Sequence, residues 1–383
     1  MTIVYSGFDS IYFAIQGALS PAALKRFETL KDQNLEPDRD MPFTLDSNDH
    51  RYFLRKAGKS GGYLHVVNTG ICGSDIAFKT RLSRKEHNGF VEISSACLLA
   101  NGWKKAIQQE LDHVKALGFH VVSISMNRVD YCIDFLDESF DMVPRDFIAH
   151  SRVTKLSYHE SMSVNDHVGM GQDHVGVRTV SQSDRVKSIT LGKMPGRQVI
   201  IYDKRAEIIE RRKFYWFDAW GINRNDPTRT VHRVEVRAGK NHLLKYRIRS
   251  LEDFEQHIGH VLTESVRAIR WIEPTCENSN VTRAPLHPLW SRVQTHMDNA
   301  MAPHKTPIEE GVITARLREN KVLEYKQQVK GNIGGLLGVK GVEPENMQKE
   351  MDCLVLEVAE ELAMDKPCST MKSYIRVRER WKS

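Results

Sequence analysis

The sequence lacks closely paired cysteines and long apolar runs. Its six cysteines are scattered over 383 residues, and no two form a C-x-x-C pair. This spacing excludes a zinc-ribbon signature and a disulfide framework. No apolar stretch approaches ~20 residues, so the sequence predicts no membrane-spanning helix and no membrane partner. The first residues lack the basic and apolar regions of a secretory signal, so we expect a cytoplasmic protein.

A strong excess of one charge is also missing. The chain has 55 Lys and Arg against 49 Asp and Glu, a formal net charge of +6. This balance permits a polyanionic partner without requiring one. Strand patterns and helix patterns share the first 272 residues, whereas only amphipathic stretches follow residue 285. We therefore predict an α+β fold with domains at 1–274 and 289–383, the second all-helical, and a proline-marked linker at 275–288.

Local patterns add detail to this organisation. They predict a turn at residues 7–9, a helix at 96–117 and a hairpin that turns at 193–196. The glycine-rich segment 331–339 predicts a helix breaker. The run at 372–382 mixes basic and aromatic residues.

The segment Arg128–Asp134 alternates as a strand does and carries two carboxylates on one face. Side chains two apart on a strand point the same way, so Arg128, Asp130 and Asp134 share that face. Two neighbouring carboxylates repel unless a cation lies between them. That cation is either a divalent metal, which prefers oxygen ligands, or the Arg128 side chain. The strand alone leaves both alternatives open.

A second charged strand covers Thr230–Arg237. Alternation places Arg233, Glu235 and Arg237 on one face of it. A glutamate between two arginines is typical of an ion-paired sheet face. If the face meets a polyanion, the arginines can instead hold phosphates while Glu235 binds a metal.

A tyrosine ends a third, apolar strand. Residues 197–201 lead to Tyr202, and charged residues follow at once. A tyrosine in this position is often a half-buried side chain with its hydroxyl in water. The functional alternative is a phenol that attacks a DNA phosphodiester, which needs help to lose its proton. Lys204 shares the face of Tyr202 if the strand continues, and Glu207 is a candidate base, ligand or partner of the lysine.

Three motifs in these segments together resemble the Rep_trans family of trans-acting rolling-circle replication initiators. The segment from Tyr202 through Lys204 to Glu207 resembles the family's Y-x-K-x-x-E motif. Residues 128–135 look like its R-x-D-x-x-x-D-x strand, and residues 233–237 are similar to its R-x-E-x-R strand. The order of the three also agrees. The resemblance covers roughly residues 6–272 and leaves the helical tail unmatched.

The resemblance implies a nuclease-like antiparallel-sheet domain, an Mg²⁺ or Mn²⁺ ion, and a covalent 5′-phosphotyrosine intermediate. The catalytic residues it implies are Tyr202, Lys204 and Glu207, with Tyr202 as the nucleophile. The metal ligands it implies are Asp130 and Glu235, and less directly Asp134. We assign DNA contacts to Arg128, Arg205, Arg233 and Arg237.

The H-hydrophobic-H ligand pair of many other rolling-circle and mobilisation nucleases is absent from the sequence. Its absence either places the metal on carboxylates or argues against a nuclease. We favour carboxylates, because oxygen ligands suit Mg²⁺ better than imidazole does.

Three classes of function fit these observations. The first is an initiator that nicks and rejoins origin DNA, single-stranded or extruded as a hairpin, together with a host helicase and polymerase. The second is a relaxase that nicks a transfer origin. The third is a non-catalytic origin-binding or regulatory protein, which the presence of Tyr202, Asp130 and Glu235 disfavours. Whether the protein forms a homodimer stays open.

Overall fold

A computed structural model describes most of the chain, in segments that together contain every element reported below. The described residues are 2–33, 40–45, 48–70, 72–81, 83–136, 142–149, 177–182, 185–211, 213–273, 284–301 and 310–364. The chain divides into two compact units, residues 1–306 and 307–383. The first unit combines a large antiparallel sheet with helices and the second is helical where it is described, so the predicted α+β class is confirmed.

Within the described residues, eleven strands of the first unit form one antiparallel sheet and two more form a small separate one. The strands are β1 Thr2–Leu19, β2 Met41–Leu45, β3 Asn48–Arg55, β4 His65–Asn68, β5 Asp75–Phe78, β6 His87–Ile93, β7 Phe119–Leu136, β8 Phe147–Ala149, β9 Val177–Gln182, β10 Arg185–Gly192, β11 Arg197–Asp203, β12 Val231–Gly239 and β13 Ile269–Trp271. The order across the large sheet is β2-β3-β4-β5-β6-β1-β7-β12-β11-β10-β9, and β8 pairs with β13.

Helices pack around the sheet of the first unit, and two long helices make up most of the described part of the second. The helices of the first unit are α1 Pro21–Gln33, α2 Ser95–Asn101, α3 Trp103–Ala116, α4 Lys204–Glu210, α5 Tyr215–Trp220, α6 Lys240–Lys245, α7 Leu251–Arg267 and α8 Pro288–Met301. The helices of the second unit are α9 Glu310–Val339 and α10 Met347–Met364.

The two longest strands, β1 and β7, form the centre of the large sheet. They pair from Thr2 opposite Leu136 to Leu19 opposite Phe119, with four shifts of register. The core face of this pair is aromatic: the Phe8 ring lies 5.3 Å from Tyr131 and 5.8 Å from Phe254 of α7. Because strand side chains alternate, the same pairing turns the charged residues of β7 to the opposite face.

The hairpin predicted before Tyr202 is present, but the helix predicted over residues 96–117 is broken. Strands β10 and β11 pair antiparallel across a turn at 193–196. Gly102 separates α2 from α3 with a φ of 71°, a conformation that glycine adopts without strain. Ser94 caps the first of these helices by accepting a hydrogen bond from the Cys97 backbone N–H.

The predicted domain boundary at residue 289 is wrong, because α8 belongs to the first unit. Its apolar side chains Leu289, Trp290, Val293 and Met297 are buried in the main core. The Trp290 indole N–H also donates a 2.7 Å hydrogen bond to the Ile269 carbonyl. Of the predicted linker, residues 275–283 lie outside the described part of the chain, whereas residues 284–288 are part of the fold. An amphipathic pattern predicts a helix but does not say which surface covers its apolar face.

Truncation tests this boundary. We expect a chain ending at Thr306 to unfold cooperatively, whereas a chain ending at Glu273 loses its cooperative transition. Burying each large apolar side chain stabilises a fold by about 1.5–3 kcal/mol. Losing the four on α8 therefore removes an amount comparable to the ~5–15 kcal/mol stability of a typical domain. Thermal melts followed by circular dichroism compare the two chains. Equal melting temperatures would show that α8 is dispensable.

In the second unit, α9 continues without a break through Gly331 to Gly338. The prediction of a helix breaker at 331–339 is therefore wrong. Leu337 of α9 and Leu354 of α10 are buried. The basic and aromatic run at 372–382 lies outside the described residues. Among the described helices, none is long and apolar enough to cross a membrane.

His65 on β4 makes stability depend on pH. Its side chain is 3% exposed, its ring lies 5.5 Å from Phe27, and neither ring nitrogen has a hydrogen-bond partner among the described residues. Burial, together with the charge of Lys31, lowers its pKa to about 4. The unfolded chain therefore binds a proton near pH 6.5 that the folded chain binds only near pH 4.

We accordingly expect the free energy of unfolding to fall as the pH drops from about 6.5 to 4. His65→Leu should reduce this dependence, because it removes the proton-binding group and buries no unpaired nitrogen. His120→Leu, at an exposed position, is the control. Urea unfolding at pH 7 and pH 5 measures the difference. Identical pH dependence in the wild type and in His65→Leu would refute the role of this histidine.

Candidate functional site

The three charged segments lie on three adjacent strands, β7, β12 and β11. In the register, Asp130 on β7 is opposite Arg237 on β12, and Asp134 is opposite Arg233. Tyr202 on β11 is also opposite Arg233, on the other side of β12. The strand pairing of β7 with β12 thus brings side chains about 100 positions apart in sequence onto one face of the sheet.

Tyr202 is hydrogen-bonded to a carboxylate. Its hydroxyl donates to Glu235 Oε2 at 2.8 Å, and the Lys204 ammonium lies 3.5 Å from the same hydroxyl oxygen. Burial, followed by the negative charge of Glu235, raises the pKa of Tyr202 well above its usual value. The phenol is therefore protonated at neutral pH and needs an acceptor for its proton before it can act as a nucleophile. Glu235 is such an acceptor, already in contact.

Lys204 reaches Tyr202 from a helix, not from a continued strand. Strand β11 ends at Asp203, whose side chain caps α4 by accepting a 2.9 Å hydrogen bond from the Ala206 N–H. The Lys204 side chain is 2% exposed and its ammonium forms a 2.6 Å ion pair with Glu207. Burial raises the pKa of Glu207, but the charges of Lys204 and Lys213 outweigh it and the net shift is downward. Glu207 is therefore an ionised partner that holds the lysine.

Asp130 is enclosed by donors. Arg128 donates two hydrogen bonds to it, at 2.7 and 2.5 Å, and the Ser10 hydroxyl donates a third at 2.7 Å. Burial raises its pKa to about 6, an effect that Arg128 opposes and the charge of Glu235 reinforces. Arg237 lies between the two carboxylates, 2.6 Å from Glu235 Oε1 and 3.9 Å from Asp130 Oδ2. Arginine thus supplies the cationic neighbour in this structure.

Arg233 and Asp134 form a buried pair, which contradicts the predicted phosphate contact of Arg233. Both side chains are 0% exposed, and the guanidinium donates to the two oxygens of Asp134 at 2.6 and 2.7 Å. It donates a further 2.6 Å hydrogen bond to Asp9 and lies 4.3 Å from the Trp216 ring. The Trp220 indole N–H donates to Asp134 Oδ2 at 2.8 Å. In this geometry Asp134 is an anchor for Arg233, not an open metal ligand.

Three residues that contact or cover the Arg233–Asp134 pair were not identified from the sequence. Asp9 falls in a segment interpreted as a turn, whereas the structure continues β1 through it with a shift of register between Phe8 and Ser10. Trp216 and Trp220, four apart on α5, are buried over the site. Their helical spacing soon after the tyrosine motif is a signal that could have indicated a covering helix.

Arg205, the fourth residue predicted to contact DNA, is half-buried. It donates hydrogen bonds to the carbonyl of Asp226 at 3.0 Å and to that of Arg224 at 3.4 Å. Its guanidinium also lies 5.8 Å from the Phe217 ring. These contacts hold the segment between α5 and β12 in place. A contact between Arg205 and DNA stays a prediction.

The carboxylates fit a hard divalent cation by their chemistry. Among the described residues, no three His, Cys, Asp or Glu side chains are grouped closely enough to hold a metal ion. Mg²⁺, however, is usually bound by one or two carboxylates together with water and substrate phosphates. Asp130 and Glu235 could supply two such ligands. All four of their oxygens accept hydrogen bonds from Arg128, Ser10, Arg237 or Tyr202, so a cation has to displace some of these donors.

Neither a protein-family model nor a curated protein matches the sequence. Among solved structures, the chain is similar to a rolling circle replication initiator protein from Geobacillus stearothermophilus. The two share 13% identity with a TM-score of 0.40, over 77% of this chain and 96% of that one. At this distance we draw no conclusion about function from the likeness.

Proposed function

We propose that this protein nicks and rejoins origin DNA with Tyr202 as the nucleophile, and so initiates rolling-circle replication. The observation that carries the proposal is the contact between the Tyr202 hydroxyl and Glu235, 2.8 Å long, with the Lys204 ammonium 3.5 Å away. A nucleophile, an acceptor for its proton and a cation for the phosphate thus meet at one point. The three motifs that resemble those of trans-acting initiators support the same assignment.

The geometry suggests a division of labour in the reaction. The Tyr202 oxygen attacks the phosphorus atom while its proton passes to Glu235 Oε2. The P–O3′ bond breaks, the leaving O3′ keeps the bonding electrons and takes a proton from water, and a 5′-phosphotyrosine remains. The Lys204 ammonium and the Arg237 guanidinium face the charge that develops on the phosphate. A divalent cation at Asp130 and Glu235 would polarise a non-bridging phosphate oxygen.

Transesterification suits an enzyme that must reseal what it opens. Hydrolysis would discard the energy of the phosphodiester, whereas the phosphotyrosine retains it for attack by a free 3′ hydroxyl. The buried Arg233–Asp134 pair contributes rigidity, because Arg233 is opposite Tyr202 in the strand register. Arg233 is therefore a positioning residue in this proposal.

The test is direct trapping of the intermediate. The full chain is incubated with labelled single-stranded origin DNA and Mn²⁺, separated on a denaturing gel and digested for mass spectrometry. We expect a protein–DNA adduct whose modified peptide contains Tyr202. An adduct on another residue would disprove the assigned nucleophile. Cleavage without any adduct would disprove the tyrosine mechanism.

A further inference from the structure

A row of three aromatic side chains lies across the sheet beside the Tyr202 site. Tyr12 on β1, Phe90 on β6 and Tyr63 in the β3–β4 connection form this ring row. The centroids of Tyr12 and Phe90 are 6.3 Å apart, and those of Phe90 and Tyr63 are 5.8 Å apart. All three residues are half-buried, so each is partly accessible to solvent. The adjacent Phe13 and Val91 are fully buried and fill the core on the opposite face.

A cation lies at each end of the ring row. The Arg128 guanidinium is 5.0 Å from the centroid of Tyr12, and the Lys79 ammonium is 4.9 Å from that of Tyr63. Arg128 is also the residue that binds Asp130, so the row begins where the Tyr202 site ends. Two carboxylates beside the row, Asp75 and Glu92, are both ion-paired with Lys59. Their repulsion of a polyanion is reduced by that pairing.

The row lies within reach of a strand held at Tyr202. The sheet order from the nucleophile is β11, β12, β7, β1 and β6. With neighbouring strands about 4.8 Å apart, Tyr12 lies three strands, or roughly 14 Å, from Tyr202 across the sheet. The register places Tyr202 level with Asp134 of β7 and Tyr12 level with Arg128, so the two are also about six residues, or roughly 20 Å, apart along the strands. The row therefore begins roughly 25 Å from Tyr202 and continues beyond. A few nucleotides next to the scissile phosphate can span this distance.

We infer that the ring row is a binding track for single-stranded DNA that flanks the cleavage site, an inference that rests on the proposed function. Bases stack on partly exposed aromatic rings whatever their sequence, and cations beside the rings hold the phosphates. Duplex DNA does not offer this contact, because its base faces are already stacked on one another. The track thus selects unpaired DNA on one side of the nick, and its binding does not depend on the base sequence there.

The test measures binding of single-stranded oligonucleotides by fluorescence anisotropy, with Tyr202→Phe as the parent so that no cleavage interferes. One oligonucleotide carries only the cleavage site, and two others extend it by eight nucleotides on one side or the other. We expect Tyr63→Leu and Tyr12→Val each to weaken binding about tenfold, for one extended oligonucleotide only. Lys79→Gln should lower the slope of log K against log salt by about 0.7. The controls are Tyr325→Leu in the second unit and Lys105→Gln on α3.

Failure of the track and failure of the nucleophile give different results. If a Tyr63→Leu or Tyr12→Val chain binds all three oligonucleotides as the parent does, the track is disproved even if Tyr202 forms the adduct. A duplex form of the extended oligonucleotide is titrated in the same way. If both variants weaken binding of this duplex as much as binding of the single strand, selection of unpaired DNA is disproved. If Tyr202→Phe still forms an adduct while Tyr63→Leu loses the flank-dependent affinity, the track stands and the nucleophile is wrong. If Tyr12→Val has a lower melting temperature than the parent, Phe90→Leu is tested in its place.

Discussion

Tyr202→Phe should abolish the covalent adduct and reduce nicking by at least about 10³-fold, on the scale of losing an enzyme's nucleophile. Affinity for single-stranded DNA should change little, because the substitution removes only the hydroxyl that donates to Glu235. Adduct yield on a denaturing gel and anisotropy on the same samples separate the two effects.

Tyr131→Phe is the matched control for this substitution. Tyr131 is also on the β7–β12–β11 part of the sheet, but its ring is buried on the core face against Phe8. We expect normal nicking from it. If Tyr202→Phe still links to DNA, the nucleophile is elsewhere. Tyr158, which lies outside the described residues, is then the next tyrosine to replace.

Glu235→Gln and Asp130→Asn should each slow nicking by at least about 10²-fold, the scale of losing one charge-stabilising or proton-accepting group. Glu235→Gln keeps the size of the side chain but weakens it as an acceptor for the Tyr202 proton. It also removes the ion pair with Arg237, which is 2.6 Å long. Single-turnover rates measure the loss. Glu264→Gln, on α7, where the carboxylate is ion-paired with Arg267, is the control for removing a carboxylate.

A second measurement on the same variants tests metal binding independently of nicking activity. We expect titration calorimetry with Mn²⁺ to show binding by the wild-type chain, and weaker binding by Asp130→Asn and Glu235→Gln. Glu264→Gln should bind as the wild type does. Nicking at the full rate in EDTA, or equal Mn²⁺ binding by all four chains, would contradict metal ligation by these carboxylates.

The sequence was sufficient to group the central residues of the site. A period of two along each strand groups Asp130 with Asp134, and Arg233 with Glu235 and Arg237. The structure then places these groups side by side because β7 and β12 are adjacent. The pairing register between strands decides which carboxylate contacts which cation. The sequence of a single strand does not contain that register.

Burial of the site could not be predicted in the same way. Arg233 has the same alternation as Arg237, yet one is fully buried and the other is 28% exposed at its side chain. The difference comes from α5, whose Trp216 and Trp220 cover one end of the strand face. Similarly, the amphipathic pattern of α8 predicts a helix, but its place in the first core depends on a groove formed by distant residues.

The central position of β1 also has a consequence for synthesis of the chain. Its partner β7 begins at Phe119, about 100 residues after β1 ends, and β12 follows only at Val231. Pairings of such long sequence separation form slowly, because a long loop must close before they gain any contact. A nascent chain therefore leaves the ribosome with one edge of β1 unpaired until β7 follows, since only its other edge has β6 as a partner. Asp9 can contact Arg233 only after β12 has emerged. Tyr202 likewise lacks its carboxylate partner, Glu235, in any translation product that stops before residue 235.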